Sequence, residues 1–501
     1  MKATSNTKPT ENNPTPVAEE VLDKHKKYKE MYGKNELYWG LGIECESYLE
    51  MSKPVSVKPG FMIRNHQRER YSVDYYTSYK KELLEKALSR FLTVQEEVPL
   101  PVLINSHALT KMDGNLEHET LYKVGSPANP KFTGKTIFDL LKELRPEYFE
   151  KEHEKTFIFD GDSIEIMTQK FYKTTIDKTL EELQTSRKEF LKHLRSCLCD
   201  LKQFQVYCDI EWTSGNHGFA IMITNPNNLA IFNNGTYHVN ITLPTHLDAE
   251  GRIKDFKAFE KQHSNYIQYI QWVEPLLVAN FGSPDPLAWL LENTFAVGSQ
   301  RCAMSRYIGL GTYDTRSMKR GKLLTVDLSG VRSSWYKTYH EKSGYHALDK
   351  VGLDINFNKH WNHGIELRFF DWFPEERLRG VLKFLVFLGD ISLEKPCPIE
   401  PTENFVWNAW MVRVIQKGND AGCSEAEARL LGTVLGVPCT ACESLDILFA
   451  CIYGALSKKY SGGKGPCSKY FLDEKLSTPV AAAPTLPVVK KAKSSWRCCI
   501  A

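Results

Sequence analysis

Apolar and polar residues alternate along "GIECESYLE" (residues 42–50), the pattern of a strand with one packed face. Glu44, Glu46 and Tyr48 then share one face, and Ile43, Cys45 and Ser47 share the other. The same pattern recurs three times. In "DSIEIMT", Glu165 points away from Ile164 and Ile166. In "GTYHVNITLP", His238, Asn240 and Thr242 oppose Tyr237, Val239 and Ile241. In "HGIELRFFDW", Glu366 and Arg368 oppose Ile365, Leu367 and Phe369. "KTFIFDGDSIEIMT" predicts a hairpin turning at Asp160-Gly161, a dipeptide suited to a tight turn.

Elsewhere the apolar period lengthens to that of a helix. Residues 136–144 and 175–201 are predicted helical on this basis. Residues 403–460 read as helical too. Ser424 and Glu427 form a capping-box signature there, and "LDILFACIYGAL" continues the pattern. Strands and helices mix without a repeat period, which predicts an α+β fold. The expected organisation is a charged lead over 1–35, a main domain over 36–400, a helical segment over 401–472 packed on it, and a flexible tail over 473–501.

Composition narrows the classes. The chain has 501 residues, 42% hydrophobic and 25% charged, with a net charge of +3. That balance is ordinary for a globular protein and gives no electrostatic case for bulk nucleic-acid binding. The polar, proline-bearing amino terminus has no signal-peptide core, and no run is long enough to span a membrane. Thirteen scattered cysteines without a secretion signal favour free thiols in a reducing compartment, hence a cytoplasmic protein. The sequons at Asn234 and Asn240 are then expected to be unused.

Two carboxylates on one strand face repel each other, and an arginine or a metal ion usually compensates. A solvated outer face of an antiparallel sheet is the plain alternative for any one strand. Across the set, however, the face residues are Glu, His, Asn and Arg, the types that hold metals and phosphates. Oxygen and imidazole donors suit a hard divalent ion such as Mg2+ or Mn2+. Arg368 beside Glu366 suits a phosphate oxygen.

The order G-I-E-C-E, D-G-D-S-I-E-I, H-V-N-I, I-E-L-R resembles the amidoligase branch of the glutamine synthetase-like carboxylate–amine ligases, a superfamily that includes glutamate–cysteine ligase. The resemblance runs over about residues 37–395 and departs from the family's H-x-H at Asn240. It implies a glutamine synthetase-like antiparallel sheet with an active-site face, flanking helices and a C-terminal helical segment. It implies an enzyme that binds ATP and Mg2+ or Mn2+ and forms an amide or isopeptide bond through an acyl phosphate. Metal ligands would be Glu44, Glu46, Glu165, His238 and Glu366. Nucleotide contacts would come from Glu44, His238, Asn240, Arg301, Arg306 and Arg368, with Arg368 and Arg306 catalytic. The substrates would be a glutamate-like carboxylate and an amine on a small molecule, peptide or protein. Two alternatives stay open: a glutamate–cysteine ligase-like enzyme, and a degenerate ligase fold serving as a membrane-tethered scaffold.

Other signals carry less. "TGKT" (133–136) lacks the first glycine of a P-loop, so Thr133 or Thr136 reads as a helix cap. "SGGKG" (461–465) reads as a mobile loop. Cys439 and Cys442 form a C-x-x-C with no second pair at zinc spacing, and read as structural. "RNHQRERYSVDYY" (64–76) reads as a helix surface or part of a substrate cleft. The chain ends Cys498-Cys499-Ile500-Ala501, a C-a-a-X form that predicts prenylation of Cys498, assisted by Lys490, Lys491 and Lys493, and a peripheral place on the cytosolic membrane face.

Overall fold

The computed structural model describes residues 37–57, 98–111, 134–302 and 364–473, apart from short interruptions. The terminal segments, Arg306, the 64–76 stretch and Cys498 lie outside the described residues.

Ten strands are described: β1 (Leu37–Ser47), β2 (Leu49–Val57), β3 (Val98–Ile104), β4 (Phe157–Asp160), β5 (Ser163–Met167), β6 (Ile210–Trp212), β7 (Phe219–Met222), β8 (Leu229–Ile231), β9 (Thr236–His246) and β10 (Ile365–Leu367). They form two five-stranded sheets, ordered β10-β9-β1-β5-β4 and β6-β2-β3-β7-β8. The first is antiparallel throughout. The second contains a parallel pair, β3 with β7. The first sheet is the expected antiparallel one, and a second, mixed sheet accompanies it. At Tyr48 the chain leaves the first sheet for the second, so β1 and β2 are one ribbon serving both.

The longer helices are α1 (Ile137–Leu144), α2 (Ile176–Leu198), α3 (Phe256–Phe281), α4 (Leu378–Glu394), α5 (Phe405–Lys417), α6 (Glu425–Leu435) and α7 (Leu445–Tyr460). α1 and α6 begin with capping boxes, Thr136 with Asp139 and Ser424 with Glu427. "TGKT" is thus a helix start, as its incomplete pattern predicts. α6 ends at Gly436 with φ +71°, a left-handed conformation that favours glycine.

One hydrophobic core takes Ile43 and Cys45 from β1, Leu49 and Met51 from β2, and the inner faces of α2 to α7. α3 runs through its middle, and α4, α5 and α7 pack against it. Pro275 lies inside α3. It has no N–H for the Gln271 carbonyl one turn earlier, and that carbonyl accepts from Trp407 Nε1 of α5 at 3.0 Å instead. The helical segment is thereby fastened to the main domain at a point where the sequence breaks a helix rule. His263, on α3, accepts from Leu243 N (3.0 Å) and hydrogen-bonds Phe259 O (2.9 Å). Burial pushes its pKa down to about 4, so it is a neutral core residue clamping β9.

The "SGGKG" stretch is a pinned loop. Asp390 of α4 accepts from the backbone N–H groups of Cys467 (2.6 Å) and Ser468 (2.8 Å), and Gly465 N donates to Ser468 Oγ (2.9 Å). Only glycine fits at 465, because an added Cβ would lie 2.2 Å from the Asp390 carboxyl. Within 461–465, Ser461 N and Lys464 N donate to the carbonyls of Ser457 and Tyr460.

Candidate metal centre

The site is built from cross-strand register. His238 on β9 lies opposite Glu44 on β1. Glu165 on β5 lies opposite Glu46. Glu366 on β10 lies opposite Asn240, which lies opposite Gly42. Period-2 alternation puts all of these on one face of the first sheet. The opposite face of β1 is packed: Ile43 and Cys45 are fully buried, and Cys45 Sγ receives a 2.9 Å hydrogen bond from Arg187 of α2.

The residues gather into two clusters. Glu44, His238 and Glu366 form one, and Glu46, Asp160 and Glu165 form the other. In each, one ligand atom per residue lies within 4.8 Å of the other two. Consecutive same-face positions of β1, Glu44 and Glu46, therefore supply one residue to each cluster. His238 joins them: its Nδ1 is 3.0 Å from Glu44 and 3.8 Å from Glu366, while its Nε2 is 3.3 Å from Glu46.

Glu46 and Glu165 are like charges directly opposite on neighbouring strands, an arrangement that costs free energy. Burial pushes the Glu46 carboxyl up to about 7. Arg301 opposes that rise most strongly, and Asp160 and Glu44 add to it. His238 is held well below the usual imidazole range, first by burial and next by the Arg368 charge. A neutral imidazole beside crowded carboxylates is a lone-pair donor set with surplus negative charge, which fits a hard divalent cation.

Among the described residues, two arginines reach the site. Arg368 NH1 donates to Glu366 Oε1 at 3.0 Å. Arg301 NH2 is 3.0 Å from His238 Nε2, and its Nε donates to the Arg368 carbonyl at 2.7 Å. Arg301 is fixed by Asp371, which accepts from its backbone N–H (3.2 Å) and from Ser299 Oγ. Burial pushes Asp371 up to about 6 despite these donors.

The structure thus brings together Glu44, Glu46, Glu165, His238, Glu366, Asn240, Arg301 and Arg368 out of the predicted set. The side-chain amide N of Asn240 donates to Glu44 Oε1 at 3.1 Å and so holds that carboxylate. Two residues escaped the sequence reading. Asp160 was hidden by its own turn chemistry: Gly161 at φ +58° makes the turn, and Asp160 read as part of it. Asp371 lies past the end of β10, at a position where alternation would have assigned it to the apolar face.

The fold and site define a mixed α+β protein with two sheets, flanking and terminal helices, and two groups of carboxylate and histidine able to hold metal ions. No family model matches the chain and no solved structure matches it. It is 37% identical over 436 residues to the uncharacterized protein R704 of Acanthamoeba polyphaga mimivirus, covering 86% of this chain and 76% of that protein. The chain belongs to the family of that viral protein. Among the described residues no helix is long and apolar enough to cross a membrane.

Proposed function

We propose that the protein is an ATP- and divalent-metal-dependent carboxylate–amine ligase on a glutamine synthetase-like fold. The observation that carries this reading is the pairing of two three-residue clusters through Glu44 and Glu46 on one strand, with Arg301 and Arg368 beside them. Glu44, His238 and Glu366 would hold one ion, and Glu46, Asp160 and Glu165 a second. Bound there, the ions would neutralise nucleotide phosphates and polarise the transferred group. The chain itself contributes two guanidinium groups for phosphate oxygens: Arg368, held by Glu366, and Arg301, held by the Arg368 carbonyl. Asn240 holds Glu44 in orientation. ATP phosphorylates the carboxylate, and an amine displaces the phosphate, so no serine or cysteine nucleophile is needed.

The test is ADP and phosphate release from ATP with Mg2+, glutamate and a panel of amines. The reading expects release that requires both substrates and the metal, and Arg368→Lys should lower it at least tenfold, because lysine lacks the planar fork. Metal-independent release, or none across the panel, contradicts it. Prenylation at Cys498 is a separate proposal. Cys498→Ser should move the protein from the membrane to the soluble fraction at unchanged turnover, and an unmodified carboxyl terminus by mass spectrometry would exclude it.

A further inference from the structure

α5 ends beside the segment that carries Arg301. The last carbonyls of a helix have no partner within it. Two of those of α5 accept from outside. Gln416 O accepts from Val297 N at 2.9 Å, and Ile415 O accepts from Gly298 N at 3.0 Å and Ser299 N at 3.3 Å. The approach is close enough to require glycine. A Cβ at Gly298 would lie 2.0 Å from the Val414 carbonyl oxygen and 2.9 Å from Gly418 N. The end of α3 presses from another side, where a Cβ on Gly282 would lie 2.0 Å from Gly298 O. Residues 297–299 are thus wedged between the ends of two core helices.

The same segment is tied to the chain just past β10. Ser299 Oγ donates to Asp371 Oδ2 at 2.5 Å, and Arg301 N donates to Asp371 Oδ1 at 3.2 Å. Ser299 Oγ also accepts from Cys302 N at 3.0 Å, the geometry of a helix cap. Ser299 and Asp371 are both buried. Arg301 leaves this clamp with its Nε donating to the Arg368 carbonyl at 2.7 Å, and its NH2 lies 3.0 Å from His238 Nε2. A side chain held at its backbone N–H and again at Nε has little slack. A shift of the segment is therefore passed on to the guanidinium.

We propose that the helical segment which includes α5 positions Arg301 at the metal face, with Gly298 and Ser299 as the positioning residues. What Arg301 then meets, a nucleotide phosphate, rests on the ligase reading above. α5 is in this account a working part of the site. The carboxylates of the two clusters stand on β1, β4, β5 and β10, outside the 297–302 segment. Displacing the segment therefore weakens nucleotide binding and leaves the number of bound ions unchanged.

The test is a double-mutant cycle, read by calorimetry with Mg2+ and a non-hydrolysable ATP analogue, with Mn2+ stoichiometry and the thermal midpoint measured beside it. Arg301→Ala should weaken analogue binding about 30-fold, the loss of a charge-assisted contact. Gly298→Ala should weaken it by a similar factor and Ser299→Ala about fivefold, at unchanged Mn2+ stoichiometry. In the Arg301→Ala background, either substitution should add less than twofold, because both act through that side chain. Where Gly298→Ala does not fold, the Ser299→Ala cycle decides on the same terms. Equal losses in both backgrounds make the segment merely structural and overturn the proposal. So does an Arg301→Ala variant that binds as wild type does, or a positioning variant without any loss. A wild type that binds no analogue contradicts the ligase reading, and the proposal falls with it.

Discussion

Two regions of the molecule bury carboxylates in opposite ways. At the loop over 461–468, Asp390 is buried and meets two backbone N–H donors. On the face of the first sheet, five carboxylates (Glu44, Glu46, Asp160, Glu165 and Glu366) face two guanidiniums, Arg301 and Arg368, and a neutral imidazole. The first arrangement places both donors on one carboxylate oxygen and staples a chain segment. The second holds negative charge in excess of its own cations. The difference separates a carboxylate that staples a chain segment from a set of carboxylates able to hold a metal ion.

Substitution should break that contrast most sharply. Glu44→Gln or Glu46→Gln should lower ligation at least a thousandfold while leaving the thermal midpoint of the metal-free protein unchanged or raised, because each removes a member of a repulsive set. Asp390→Ala should do the reverse. It leaves two N–H groups without their acceptor and costs about 2–4 kcal/mol in denaturant unfolding, with turnover per folded molecule within twofold of wild type. A Glu46→Gln variant that unfolds would make Glu46 a structural partner and erase the distinction.

The pH dependence sharpens the comparison more gently. Glu46, Asp371 and Asp390 all have folded-state values raised above the usual carboxylate range, to about 7, 6 and 6. The native state thus binds protons that the unfolded chain has released. In EDTA, the stability these groups contribute is full below pH 4 and is lost as pH rises through 6 to 7. Glu46→Gln should flatten the upper part of that fall, between pH 5 and 8, and Asp390→Asn the lower part. Saturating Mg2+ should restore stability at pH 8 in wild type and in Asp390→Asn, but less in Glu46→Gln. Equal recovery in all three would detach metal binding from the sheet face.

The smallest expected effect lies outside both regions. Thr136→Ala removes a capping box that serves only α1. It should cost about 1 kcal/mol in denaturant unfolding and leave ligation untouched.

The ligand strands were legible because period 2 and a polar face coincide in each, and one-residue register errors would have moved every ligand into the core. The capping boxes at Thr136 and Ser424 were legible for the same local reason. Non-local facts were not. Alternation along "GIECESYLE" reverses only at Ser47-Tyr48, and one reversed pair does not by itself mark a change of sheet. The pairing of β3 with β7 depends on partners over 100 residues apart. The loop at 461–468 reads as mobile by composition, since the residue that pins it, Asp390, sits on a distant helix. Asp160 serves as turn residue and candidate ligand at once, and only its turn role has a sequence pattern.

The central claim is that the sheet face holds two divalent ions in two separable clusters. Calorimetric or electron-paramagnetic titration with Mn2+ tests it directly. The account predicts two ions per chain in wild type, one in His238→Gln, and one in an Asp160→Asn/Glu165→Gln double variant, with both variants folded. A wild type that binds none, or a stoichiometry that neither variant changes, would contradict it.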